Sequence, residues 1–296
     1  MSAATGNGAV VAAIQMTAGV DAAQNLRTAG RLLHAAAVEH GARVAVLPEN
    51  FALMARRDAD RRELAEEDND GPVQAALAGA ARELGLCVVA GSVHLRNGPG
   101  ERVSQACLVW DEHGKRVARY DKIHMFDIEL PDGESYRESA NYQPGETAVI
   151  SDLPWGRIGL TICYDVRFPA LYRALAESGA YFLTVPSAFT RKTGEAHWHV
   201  LLRARAIETG CFVFAAAQAG LHENKRETYG HSLIIDPWGE ILAEGDVEPG
   251  IIMAKIDPAK VETARRAIPS LQHGRRFGVA DPKAGPDHLH VVRGSA

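Results

Sequence analysis

Apolar positions along this chain fall into short unbroken runs, separated by stretches in which they recur at helical spacing. Val10–Met16 is almost continuously apolar and predicts a buried strand. Gln24–His40 places Leu26, Leu32, Leu33, Ala36 and Ala37 on one helical stripe, and Gly41 stops it. Val44–Leu47 is a second strand, ending in Pro48-Glu49-Asn50. Residues 55–70 are dense in Asp, Glu and Arg and read as a solvated helical or loop face. Pro72–Leu84 predicts a helix that stops at Gly85, and Leu86–His94 a strand. Ser104–Trp110 and Lys115–Tyr120 flank Asp111-Glu112-His113-Gly114 as a hairpin. Residues 123–145 have no periodicity; so long a stretch inside a compact domain is commonly functional or disordered.

The second half repeats the outline. Arg157–Ile162 predicts a strand, Asp165-Val166-Arg167 a turn, and Pro169–Glu177 a helix that accepts Pro in its first turn. Strand Tyr181–Val185, helix Gly194–Thr209 and strand Cys211–Ala217 follow. Gly230–Ile235 and Ile241–Gly245 form a hairpin around Asp236-Pro237-Trp238-Gly239, before strand Ile251–Ile256 and helix Pro258–Ala267. No internal sequence repeat accompanies this likeness. Strands alternating with helices, with antiparallel additions, imply an α/β layered fold. Two such halves can pack sheet on sheet with helices outside, giving a four-layer α-β-β-α sandwich.

Composition narrows the picture. The 296 residues are 46% hydrophobic, enough for a large core, and no Pro/Gly/Ser-rich linker divides them. A single domain is expected over residues 9–280, with tails at 1–8 and 281–296. A net charge of −5 and a pI near 6.2 give no electrostatic case for nucleic acid. Cys87, Cys107, Cys163 and Cys211 are far apart and form no CxxC, which argues against a zinc ribbon or disulfide framework and suits a reducing cytoplasm. No basic segment precedes Ala9–Ile14, so no secretory signal is expected. Apolar runs such as Cys211–Ala217 are too short to span a bilayer.

Three residues stand just past predicted strands: Glu49, Lys122 and Cys163. Sites in layered α/β folds lie beyond the carboxyl ends of strands. Brought together, a carboxylate can carry protons, an ammonium can stabilise an oxyanion, and a thiol can form a thioester. A strand-to-helix elbow at Cys163 would place it near a helix N-terminus, which with Lys122 favours thiolate. Each residue alone has an ordinary reading, since a lone Cys is most often core and a lone Lys surface. His197 and His199, two apart on a helix, point to different faces, and no nearby Asp or Glu completes a metal site.

The motifs that hold these residues carry a resemblance. Leu47-Pro48-Glu49-Asn50, Tyr120-Asp121-Lys122-Ile123-His124-Met125-Phe126-Asp127 and Leu160-Thr161-Ile162-Cys163-Tyr164-Asp165-Val166-Arg167-Phe168-Pro169 resemble, in order, those of the nitrilase superfamily of carbon–nitrogen hydrolases. Ser135–Ser139, Val185–Thr190, Thr193–His199 and Thr228–Leu233 are similar to its branch of deaminated glutathione amidases, with omega-amidases nearby. The resemblance implies the α-β-β-α sandwich, a Glu49–Lys122–Cys163 triad, no cofactor or metal, a small-molecule amide substrate, and a homodimer or higher homo-oligomer. It further implies that Glu138, six residues before Pro144-Gly145, holds Lys122. The Tyr164 N–H would join the oxyanion donors. Arg167, Phe189 and Thr193 would line the acyl pocket, where a guanidinium could bind a substrate carboxylate. An omega-amidase acting on 2-oxoglutaramate, an N-carbamoyl amide hydrolase, and a non-catalytic binding protein on the same fold stand as alternatives.

Overall fold

A computed structural model describes residues 8–98, 102–129, 133, 135–280 and 289–292. The first half runs β1 (Ala9–Gln15), α1 (Ala22–His34), β2 (Val44–Leu47), α2 (Asp58–Glu63), α3 (Pro72–Leu84), β3 (Cys87–Arg96), β4 (Val103–Trp110) and β5 (Arg116–Asp121). A small hairpin follows, β6 (Asp127–Glu129) with β7 (Ser135–Arg137). The second half runs β8 (Val149–Leu153), β9 (Gly156–Leu160), α4 (Pro169–Glu177), β10 (Ala180–Thr184), α5 (Arg191–Thr209), β11 (Phe212–Ala215), β12 (Ala219–Leu221), β13 (Glu227–Tyr229), β14 (Leu233–Ile235) and β15 (Ile241–Glu244). The chain continues through β16 (Gly250–Ile256) and α6 (Ala259–Ala267) to a hairpin of β17 (Phe277–Ala280) and β18 (Leu289–Val292). Within the C-terminal tail expected at 281–296, Leu289–Val292 is thus paired, whereas residues 1–7 lie outside the described residues.

The two halves build two sheets of one design. Sheet one has the order β16-β1-β2-β3-β4-β5 and sheet two the order β15-β14-β11-β10-β9-β8. Each has three parallel strands at its centre, flanked by antiparallel strands. The alternation of side chains along a strand decides what each face meets. In β1, Val11 and Ala13 face the core between the sheets, while Ala12 and Ile14 pack in the core beneath α1 and α3. Both faces are therefore buried, which is why Val10–Met16 reads as unbroken apolar. On sheet two, Tyr172 and Leu175 of α4 and Trp198, Leu202 and Ala206 of α5 close the outer face. The layers are helix, sheet, sheet, helix, as expected.

Several boundaries differ from expectation. The first helix ends as a π turn over Ala35–Glu39. The stretch 123–145 contains β6, β7 and a 3₁₀ turn, Glu138–Ala140. β16, the last strand to join either six-stranded sheet, crosses back to pair with β1 in the first half's sheet. No helix among the described residues is long and apolar enough to cross a membrane.

Candidate active site

Strand ends deliver the three residues to one place. Sheet one supplies Glu49, two residues past β2, and Lys122, immediately past β5. They are 2% and 1% exposed, so their charges must be compensated within the protein. Sheet two supplies Cys163, three residues past β9. Cys163 has a φ of 47°, in the left-handed region that a non-glycine residue enters at a cost of about 1–3 kcal/mol. Its N–H donates to the Pro186 carbonyl at 2.9 Å. The Asp165 carboxylate caps the turn by accepting from the Ile162 N–H at 2.8 Å.

Lys122 is the electrostatic centre. Its Nζ donates to Glu49 Oε1 at 2.9 Å and to both carboxylate oxygens of Glu138 at 2.9 Å. Burial alone would drive the ammonium toward the neutral form, but the charges of Glu138 and Glu49 outweigh it and hold its pKa well above the ordinary lysine value. Glu138 is oriented by the Phe126 N–H, which donates to Oε2 at 2.7 Å. For Glu49, burial favours the acid form, yet Lys122, through its charge and hydrogen bond, prevails and lowers the pKa. Glu49 Oε2 also accepts from the Ala188 N–H at 2.8 Å, and Oε1 from Gln105 Nε2 at 3.1 Å. The carboxylate is thus ionised and fixed at both oxygens.

The thiol behaves otherwise than expected. Cys163 opens a five-residue 3₁₀ turn, Cys163–Arg167, and α4 begins only at Pro169, so the thiol does not sit at the N-terminus of that helix. Burial and then the Glu49 charge push the Cys163 pKa up; Lys122 opposes both and does not win. The thiol is held in its neutral form, beside the ionised Glu49 carboxylate.

A cavity of about 320 Å³ opens over these groups and is lined by Glu49, Lys122, Glu138 and Cys163. Tyr164, Phe189 and Thr193 line it too. Arg167 is not among its lining residues. Its guanidinium lies 5.8 Å and 5.3 Å from the ring centroids of Tyr164 and Phe189, behind those walls, and 3.3 Å from His197 Nδ1. The arginines that do line the cavity are Arg61, Arg137 and Arg226. Arg226 donates to the Ala188 carbonyl at 2.6 Å and lies over the Tyr136 ring, while its buried Nε has no hydrogen-bond partner among the described residues.

Sequence reading passed over several of these groups. Gln105 left a signal, a carboxamide immediately before the apolar run Ala106–Trp110. The N–H groups of Ala188 and Phe126 leave none, since any residue type supplies a backbone donor. Asp165, read only as a turn residue, is wholly buried. It accepts from Tyr120 Oη at 2.7 Å and from the His124 N–H at 3.1 Å, and its Oδ1 lies 2.7 Å from His124 Nδ1. It thereby ties the end of β5, which carries Lys122, to the Cys163 turn.

Comparison with known proteins agrees with this architecture. A family model described as carbon-nitrogen hydrolase matches residues 10–266. A deaminated glutathione amidase of Yersinia enterocolitica is 42% identical over 268 residues, covering 90% of this chain and 92% of its own. A deaminated glutathione amidase of Homo sapiens is 43% identical over 272 residues, covering 90% and 82% respectively. The crystal structure of the C. elegans NitFhit protein superposes with a TM-score of 0.85 at 34% identity, over 93% of this chain and 69% of that one. Matched along nearly all of its sheets and helices by both sequence and fold, the chain belongs to the carbon–nitrogen hydrolase family.

Proposed function

We propose that this hydrolase is an amidase acting on deaminated glutathione, through a thioester on Cys163. Glu49 takes the thiol proton as Sγ attacks the amide carbon. The tetrahedral oxyanion is held by the Lys122 ammonium and the Tyr164 N–H. Glu49 returns the proton to nitrogen, the C–N bond breaks, and ammonia leaves. Glu49 then deprotonates a water that attacks the thioester, and the acid departs as the thiol is re-formed. Glu138 keeps Lys122 charged and in place throughout.

The observation that carries this reading is the ionised, doubly anchored Glu49 beside a neutral Cys163 thiol at one cavity wall. Arg61, Arg137 and Arg226 on the lining favour an acyl group that bears carboxylates, as a 2-oxo acid amide does. The reading also takes a second copy of this chain as partner, with Val200 and Ile207 exposed one heptad apart on α5, and a reducing cytoplasm, with all four cysteines free and buried. The test is ammonia release from deaminated glutathione, 2-oxoglutaramate, N-carbamoyl amino acids and simple nitriles side by side. Deaminated glutathione should give the highest kcat/KM. A higher value for 2-oxoglutaramate would make the protein an omega-amidase, and no release from any of them would leave a binding protein on this fold.

A further inference from the structure

His199, His231 and Glu244 come from three separate places, the middle of α5, the link before β14 and the end of β15. None of them lines the cavity. Their side chains converge nonetheless. His199 Nε2 lies 2.9 Å from Glu244 Oε1, and His231 Nδ1 lies 3.0 Å from the same oxygen. All three candidate ligand atoms fall within 4.8 Å of one another. The histidine pair that the sequence offered, His197 and His199, does not form, since His197 turns to Arg167. The carboxylate that His199 lacked nearby arrives from 45 residues further on.

From this convergence we infer that the three side chains form a binding site for one divalent transition-metal ion of the Zn2+ class, between α5 and the end of β15. Two imidazoles and one carboxylate are a ligand set that Zn2+ accepts, leaving a fourth position for water. Imidazole nitrogen also selects against Mg2+ and Ca2+, which prefer all-oxygen surroundings. Tetrahedral bonds of about 2.0–2.1 Å place ligand atoms roughly 3.3 Å apart, so only a small movement from the observed spacing is needed. Partial exposure of the three side chains, at 31%, 25% and 39%, lets an ion and its water enter.

One ligand is already fixed in direction. His231 has a φ of 50°, its N–H donates to the Asp246 carbonyl at 2.9 Å, and its own carbonyl accepts from Trp198 Nε1 at 2.7 Å. Its ring stacks on Tyr229 with centroids 4.5 Å apart. The backbone bonds and the stacking hold the His231 ring toward Glu244. The ion would bolt α5 to β15 and to the segment after β13. That segment continues β13, whose last residue, Tyr229, holds the cavity wall by donating its N–H to the Phe189 carbonyl at 3.0 Å. Its role there is to stiffen a cavity wall from outside, not to touch substrate.

The test uses the full chain stripped by a chelator, with Co2+ followed by its visible absorption and Zn2+ by calorimetry and thermal melts. One equivalent per chain should bind, with the intense bands of tetrahedral Co2+ that Zn2+ displaces, and saturating Zn2+ should raise Tm. Glu244→Gln and His199→Ala should each weaken binding by about tenfold or more. Neither disturbs the positive-φ backbone at His231, and metal-free melts check that both fold. His197→Gln, on the same helix, should bind as the parent does. Absence of saturable binding, or affinity unchanged in both ligand variants, would reduce the cluster to a hydrogen-bonded triad. Displacement by equimolar Ca2+ would overturn the assigned class of ion.

Discussion

A neutral thiol next to an ionised carboxylate inverts the usual picture of a cysteine nucleophile, and the inversion has a measurable sign. Glu49 raises the Cys163 pKa, so Glu49→Gln should lower it while abolishing the base. Alkylation of Cys163 by iodoacetamide as a function of pH should therefore show a lower midpoint in the variant, while turnover falls by about 10²–10⁴. A midpoint that rises or stays put would remove Glu49 from the thiol's surroundings. In the parent protein the lowered Glu49 pKa implies that this pair contributes stability above the ordinary carboxylate range, lost as pH falls through the folded-state value. Lys122→Met reverses that slope. With the ammonium gone, Glu49 and Glu138 are left near each other without it, and burial raises the Glu49 pKa. The variant should be less stable by about 3–5 kcal/mol at neutral pH, and the deficit should shrink as acid protonates the carboxylates. Denaturant melts from pH 7 to pH 4 would read both slopes. Turnover should fall by about 10²–10³ from the lost oxyanion donor. A Lys122→Met protein with parental acylation would leave the lysine a purely structural part.

At the scale of elements, the turn after β9 and the end of β5 are held to each other by Asp165. Asp165→Asn keeps the shape but turns one acceptor oxygen into a donor, facing groups that already donate. The expected cost is about 3 kcal/mol of stability, for hydrogen bonds to a buried charge, and a loss of kcat larger than any change in KM. Parental kcat in a folded Asp165→Asn protein would show that the turn holds itself. Why Asp165 escaped sequence reading also explains the other misses. The parallel strands were legible because both of their faces are buried, which leaves continuous apolar runs such as Val44–Leu47 and Tyr181–Val185. β8 was not, because Ser151 and Asp152 interrupt an antiparallel edge strand that is only partly covered. β6, β7, β12 and β13 are three residues each, too short for any period. Glu49, Lys122 and Cys163 were legible as strand-end residues. Arg167 was misplaced because the resemblance supplies a position but not the direction of a long side chain. Arg226 is delivered to the cavity by a loop between β12 and β13, and no local pattern announces where such a loop folds.

At the scale of the whole molecule, the candidate site belongs to neither half. Glu49 and Lys122 hang from sheet one, Cys163 and the Ala188 N–H from sheet two. On the proposed mechanism, activity requires the two sheets to keep their mutual register. Two features make that register cooperative. The core between the sheets mixes residues of both halves, such as Val46, Cys107 and Tyr120 with Ile158, Phe182 and Phe214. β16 leaves the second half and pairs with β1 from Ala9↔Ile256 to Gln15↔Gly250, stitching the late chain into the early sheet. If residues 9–280 form one domain, neither sheet can unfold while the other survives, because each would expose its inner face and sheet one would lose an edge. The cysteines report this without engineering. Cys87 and Cys107 are buried in sheet one and Cys211 beside β11 of sheet two, and burial raises the pKa of all three. Brief thiol labelling at rising urea, read peptide by peptide at a fixed protein concentration, should give one midpoint for Cys87, Cys107 and Cys211. Loss of ammonia release and of far-UV circular dichroism should fall on the same curve. Labelling of Cys211 at clearly lower urea than Cys107, or the reverse, would divide the chain into two units and make the site an interface between them. Activity lost before any cysteine is labelled would instead place the weakest link in the loops that wall the cavity.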